Sequence, residues 1–140
     1  MQKLTIEFES LPGINDVSIL TQGLSEQAAQ LKGLAPATYY AFFIRDLEQK
    51  IVGGINGSLY YGCVYIDQLW LAASLRGHGW GKLLIYKVET LAQNQHCRFA
   101  TVNTMDWEAK GFYEKLGYRV EYVRCGYLKQ SKLYFLIKDL

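Results

Sequence analysis

One run constrains this chain more than any other. Val64-Tyr65-Ile66-Asp67-Gln68-Leu69-Trp70-Leu71 is a continuous strand signal, and it delivers the backbone into Leu75-Arg76-Gly77-His78-Gly79-Trp80-Gly81-Lys82. After that loop, Leu84, Val88, Leu91 and Ala92 fall at helical spacing on one face. The three glycines of the loop let backbone N–H groups converge without interference from Cβ atoms, and a helix N-terminus carries roughly half a positive charge. Arg76 and Lys82 stand ready to add full charges. A strand, a glycine loop and an amphipathic helix in this order predict an anion cradle, with a pyrophosphate as a fitting occupant.

Two familiar phosphate loops do not fit. A Walker A loop ends Gly-Lys-Ser/Thr, and here Gly81-Lys82 precedes Leu83, so the hydroxyl that would hold Mg²⁺ is missing. A dinucleotide fingerprint needs its third glycine three residues after the second, and these glycines stand at 77, 79 and 81. The sheet before the loop also reads as antiparallel hairpins, not as the first strand of a doubly wound fold.

With 140 residues the chain has the length of one domain, 1–140, able to bury a core without disulfides or metals. Half the residues are apolar and the net charge is only +2, which gives no footing for a nucleic-acid-coating protein. Cys63, Cys97 and Cys125 are odd in number and widely spaced, which suits a reducing, cytoplasmic location. No stretch approaches the ~20 apolar residues of a membrane span, and the opening residues lack the apolar run of a signal peptide.

In order, Met1 to Glu9 alternates polar and apolar residues like a first strand. Asn15 or Asp16 is a candidate N-cap for a helix carrying Val17, Leu20, Leu24, Ala28 and Leu31, with Gly23 and Gly33 bounding or breaking it. Tyr39 to Leu47 and Ile51 to Ile55 read as a hairpin. Gly53-Gly54 marks a bulge or close backbone approach, and Gly57 and Gly62 bracket a second turn. The loop helix should end near Asn94-Gln95. Arg98 to Val102 suits a buried strand, Thr104 or Asp106 caps a helix from Trp107 to Leu116, and Gly117 ends it. Tyr118 to Val123 and Leu133 to Ile137 close the chain as strands.

Two motifs then carry a resemblance. Arg76-x-x-Gly79-x-Gly81 at a strand–helix junction resembles motif A of the GNAT superfamily of N-acetyltransferases. About thirty residues on, Ala109-Lys110-Gly111-Phe112-Tyr113-Glu114-Lys115-Leu116-Gly117-Tyr118 resembles its motif B. The hairpin ending at Val52-Gly53-Gly54 resembles the strand pair that precedes motif A in these enzymes. The likeness covers Tyr39 to Tyr118 and by extension the whole chain, and the Trp70 strand, the Thr104 turn and the Phe112-Tyr113 pair resemble a group of small bacterial members.

The resemblance implies an α/β (α+β) fold with a central mixed, mostly antiparallel sheet of six to seven strands flanked by helices on both faces. It also implies an acetyl-CoA-dependent N-acetyltransferase that passes an acetyl group to a primary amine by direct attack on the thioester. Acetyl-CoA is then a co-substrate and no metal is expected. The cradle becomes its pyrophosphate site, formed by Arg76, Gly77, His78, Gly79, Trp80, Gly81 and Lys82. Main-chain groups of Leu69, Trp70 and Leu71 would hold the pantetheine arm on a strand splayed from its neighbour. Tyr113 matches the family tyrosine near the coenzyme sulfur, suited by a pKa near ~10 to protonate a thiolate.

The base is less determined. Position matching puts Tyr65 and Asp67 on one strand face, and Asp67 is the only carboxylate there; it is either the base, directly or through water, or a satisfied structural carboxylate. Tyr65 could bind the acceptor. Asp106 stands where the family often has an asparagine at the pantetheine, and it serves there or as a helix cap. No cysteine has a basic partner in sequence, and His78 and His96 make no metal site. Tyrosines including Tyr39, Tyr40, Tyr60 and Tyr134 could wall the acceptor side, with Arg124 to Gln130 forming a turn over it. The expected partners are acetyl-CoA and an amine acceptor, with no nucleic acid or membrane and a homodimer allowed for. A catalytically silent acyl-CoA-binding module of the same fold is the alternative.

Overall fold

The computed structural model describes residues 2–140, and these gather into two compact units, the residues up to Pro36 and Ala37–Leu140. In the first unit the described residues form one element, helix α1, Ile14–Lys32. It starts earlier than an Asn15 or Asp16 cap would allow. Gly13 is the N-cap, its carbonyl accepting the Val17 N–H at 3.0 Å, and Asp16 sits inside the first turn, where its charge complements the dipole. Gly23 is carried within the helix, and Gly33 ends it in the left-handed region at φ 65°, its N–H turned back to the Ala28 and Ala29 carbonyls. The expected first strand does not form: residues 2–9 are exposed and carry no regular secondary structure, and Met1 lies outside the described residues. Alternation supplies a face, but a strand also needs a paired neighbour, and none of the six described strands takes this segment.

The second unit is built on a six-stranded mixed sheet. Its strands are β1 (Thr38–Arg45), β2 (Ile51–Tyr60), β3 (Cys63–Leu71), β4 (Phe99–Met105), β5 (Arg119–Arg124) and β6 (Leu133–Asp139), in the order β1-β2-β3-β4-β6-β5. All pairings are antiparallel except β3 with β4, which run parallel because helix α2 (Trp80–Asn94) makes the crossover between them. A second short helix, α3 (Lys110–Lys115), links β4 to β5. Ile55, Leu59, Val64 and Ile66 of the sheet meet Leu84, Ile85 and Val88 of α2 in one core, which also takes in Tyr113 and Tyr118. Among the described residues no helix is long and apolar enough to cross a membrane.

Two local departures from the sequence expectation shape the site. Gly57 lies inside β2, not in a turn, which is made instead by Tyr61 and Gly62. A Cβ at Gly57 would collide with the Tyr65 carbonyl and come within 2.7 Å of the Tyr40 hydroxyl, which donates to that same carbonyl at 3.0 Å. Glycine is needed there because a tyrosine crosses over it. Nearby, the β2–β3 register slips: Gly57 faces Ile66 but Asn56 faces Gln68, so Asp67 has no counterpart. This β-bulge absorbs one residue and keeps Leu69 and Leu71 on the core face of Val64 and Ile66.

Candidate active site

Parallel pairing between β3 and β4 covers only Cys63–Phe99 to Ile66–Val102, yet β3 runs on to Leu71 and β4 to Met105. Beyond the bulge the two strands part, leaving the β4-facing main-chain groups of 67–71 without a ladder. A cavity of about 340 Å³ opens in the gap. Asp67, Gln68, Leu69 and Trp70 form one wall; Asn103, Thr104, Glu108 and Tyr113 form the other.

Past Leu71 the chain makes a short 3₁₀ turn, Ala73–Leu75, and enters the glycine loop. Gly77 and Gly79 both have positive φ, 78° and 86°, and no atom stands within 4 Å of a Cβ built on either, so the loop faces open space. Gly79 is the N-cap of α2, whose first turn holds no acidic residue. Gly81 matters for packing instead. The Phe112 ring lies 3.1 Å from where its Cβ would be, so the motif A helix and the motif B helix touch at that point. Arg76, His78 and Lys82 are disposed around the loop, all three exposed, and Trp80 is the first helical residue, 38% exposed. Arg76 is anchored, its Nε donating to the Leu71 carbonyl at 3.1 Å. That bond joins the loop to the end of the splayed strand and occupies one acceptor that was expected to face the pantetheine.

Tyr113 is 4% exposed and held edge-on between two rings, Phe112 at 5.1 Å and Tyr118 at 5.7 Å between centroids. Behind it, Tyr118 donates to Glu89 of α2 at 2.8 Å, and Lys138 of β6 meets the other oxygen of Glu89 at 3.0 Å. The orientation of Tyr113 therefore rests on a hydrogen-bonded, part-buried network. Burial, with a smaller contribution from the Glu108 carboxylate, pushes the Tyr113 phenol up to about 12. Tyr40 is also raised, by burial first and then by Tyr113, Asp67 and Tyr65. Its hydroxyl is committed to the Tyr65 carbonyl at the bulge, which removes it from the acceptor wall expected from sequence.

Asp106 is exposed, and its carboxylate does not cap the helix. The turn before α3 is organised by Thr104, whose Oγ1 accepts the Ala109 N–H at 3.2 Å, and by Glu108, whose Oε1 accepts the Met105 N–H at 2.8 Å. The helix is shorter than Trp107 to Leu116 because this side-chain-bonded turn takes its first residues. Glu108 and Gln68 gave no clear signal as site residues in the sequence. Glu108 had a visible cue, an acid following Thr104 within one turn, whereas Gln68 becomes a cavity residue only through the bulge. Burial pushes the Cys63 and Cys97 thiols up, the opposite of what an activated nucleophile needs.

With the splayed parallel pair, the helix-capping glycine loop and the buried tyrosine described, the chain can be set beside known proteins. The profile of the acetyltransferase (GNAT) family matches residues 14–118. The chain belongs to the GNAT acetyltransferase family. It is 31% identical over 106 residues to blasticidin-S acetyltransferase of Streptomyces morookaense, covering 75% of this chain and 78% of that one. A crystal structure of an acetyltransferase from Bacillus cereus superposes with a TM-score of 0.77 at 27% identity, over 96% of this chain and 98% of that one. The fold is also shared with an aminoglycoside 6'-N-acetyltransferase solved with coenzyme A, at a TM-score of 0.62, 19% identity and 72% coverage of each chain.

Proposed function

We propose that this acetyltransferase carries the acetyl group of acetyl-CoA to a primary amine by direct attack of the amine on the thioester. The reading treats 1–140 as one catalytic domain, a view supported by a family match that runs across the boundary between the two units. The observation that carries it is the parting of β3 from β4 at a bulge, with Asp67 and Tyr113 on the walls of one cavity and the glycine loop following the splayed strand.

The residues present fit the coenzyme. Unpaired strand edge at Leu69 and Trp70 suits an amide-bearing arm, and the open, acid-free first turn of α2 suits a pyrophosphate, with Lys82 and His78 beside it. Bound there, acetyl-CoA supplies an activated acyl thioester. Asp67 takes up a proton from the incoming ammonium, directly or through water, so that the amine presents its lone pair. The attack forms the new C–N bond; as the C–S bond breaks, the nitrogen gives its second surplus proton to water, and Tyr113 recovers from water the proton it passes to sulfur. Tyr113 stands to donate its proton to the departing thiolate. A phenol near 12 stays protonated at neutral pH, and the same desolvation raises the basicity of a thiolate in that cavity, so donor and acceptor remain matched.

The 6'-N position named for the aminoglycoside enzyme supports nitrogen as the acceptor atom, and blasticidin-S, named for the 31% identical relative, belongs in the first panel of acceptors. Coenzyme release measured against such a panel tests the proposal: acetyl-CoA-dependent release with at least one amine is expected. Tight binding of acetyl-CoA with no release on any amine would favour the silent acyl-CoA-binding module instead.

A further inference from the structure

The Tyr40 side chain starts on β1 and ends against β3. Tyr40 sits on the core face of β1 directly opposite Gly57, and Gly57 in turn faces Ile66, so the three form one cross-strand row. Strands two places apart in a sheet are about 9.6 Å from each other, so a β1 side chain meets β3 backbone only over a residue that has no side chain of its own. Gly57 is that residue. The Tyr65 carbonyl oxygen occupies the place a Gly57 Cβ would take, which turns it out of the plane of the sheet. Ladder bonds run within that plane, so an oxygen turned this way needs a donor from elsewhere. The Tyr40 hydroxyl supplies it at 3.0 Å.

The position of this bond gives it a functional meaning. The carbonyl belongs to the peptide that links Tyr65 to Ile66. Ile66–Val102 is the last parallel pair of β3 with β4, and the next residue, Asp67, is the one the bulge leaves without a counterpart. One side chain therefore fastens the point at which β3 both bulges and parts from its neighbour. The same bond separates the roles of two tyrosines. Burial first, then Tyr113, Asp67 and Tyr65, push the Tyr40 phenol up, so it stays protonated close to both walls of the cleft. Its one proton is held by a carbonyl, which leaves none to give a departing thiolate.

We infer that Tyr40 is a positioning residue for acyl transfer: its hydroxyl pins the bulge from across β2 and so fixes Asp67 on the wall of the cleft opposite Tyr113. The inference rests on the N-acetyltransferase reading above, in which Asp67 takes the proton of the incoming amine.

Tyr40→Phe removes the hydroxyl and keeps the ring. Amide exchange followed by NMR, with no coenzyme present, should quicken about tenfold at Ile66 to Leu69 and stay unchanged in β5 and β6. Well below the melting temperature, kcat should fall about tenfold, short of the ~10²-fold that a 1 Å misplacement can cost. Affinity for coenzyme A, measured by calorimetry, should hold within about threefold, because the cradle lies beyond the bond that anchors Arg76 to Leu71. Ile137→Val, which trims a buried side chain of β6, should lower the melting temperature and produce neither change. Unchanged exchange in Tyr40→Phe would overturn the clamp. Faster exchange with an unchanged kcat would overturn the positioning role and leave the N-acetyltransferase reading intact. A wild type that binds acetyl-CoA but releases no coenzyme with any amine would overturn that reading and the role of Tyr40 together.

Discussion

The two sides of the cleft are made of different materials. The donor side, in the reading proposed above, is backbone: a strand edge released by a bulge, a loop of positive-φ glycines and a helix N-terminus. The acceptor side, in the reading proposed above, falls to side chains such as Asp67 and Gln68, standing on a strand whose own backbone is regular apart from the bulge. Backbone recognition needs glycines and a fixed order of elements, so it writes a motif into the sequence. Side-chain recognition needs only a register, and a register leaves no motif.

That contrast can be attacked from its strongest point downward. Gly79→Glu puts a side chain at φ 86° and a carboxylate at the anion cradle, and acetyl-CoA affinity measured by calorimetry should fall by roughly 10³-fold or more. Affinity near the original would dismiss the backbone cradle altogether. Tyr113→Phe keeps the ring between Phe112 and Tyr118 and removes only the hydroxyl. Turnover should drop by about 10²-fold with the KM for acetyl-CoA little changed, and an unaltered rate would take Tyr113 out of the mechanism.

Alkaline stability probes the packing that holds Tyr113. Its folded pKa, about 12, lies above the usual ~10 of an unfolded tyrosine, so the unfolded chain releases this proton first as pH rises. The stability it contributes is complete below pH ~10 and lost as pH climbs to ~12, a change of roughly 2–3 kcal/mol from this residue. Tyr40 and Tyr118 are raised in the same direction. Melting followed from pH 9 to 12 should show a steep fall that Tyr113→Phe makes shallower; an identical slope would mean that the phenol is not buried in solution. The smallest effect belongs to Lys82→Ala. An exposed charge at the first turn is worth about 0.3–1 kcal/mol, so the KM for acetyl-CoA should rise only a few-fold and less at high salt. A loss as large as that of Gly79→Glu would shift the weight of the cradle from backbone to side chains.

Much of the architecture is legible in the order of residues. The loop and α2, the hairpin of β1 and β2, and the succession of elements after Leu91 follow from periodicity and glycine placement, because those signals are local. The failures share a cause as well. Met1 to Glu9 alternates as a strand should, and Gly57 has the look of a turn, but pairing partners and a tyrosine crossing overhead are long-range facts. Asp106 is a credible cap by position, yet Thr104 and Glu108 claim the turn.

Sequence alone determined the glycine loop at a helix start, the candidacy of Tyr113 and the family resemblance, since each depends on residues adjacent in the chain. Tertiary structure decided the rest: the bulge at Asp67, the point at which β3 leaves β4, the burial that keeps Tyr113 protonated, and the row that carries Tyr40 across Gly57 to the Tyr65 carbonyl. These depend on which residue of one strand lies beside which residue of another. A slip of one position in pairing moves every side chain to the opposite face, and no local pattern in this chain specifies that choice.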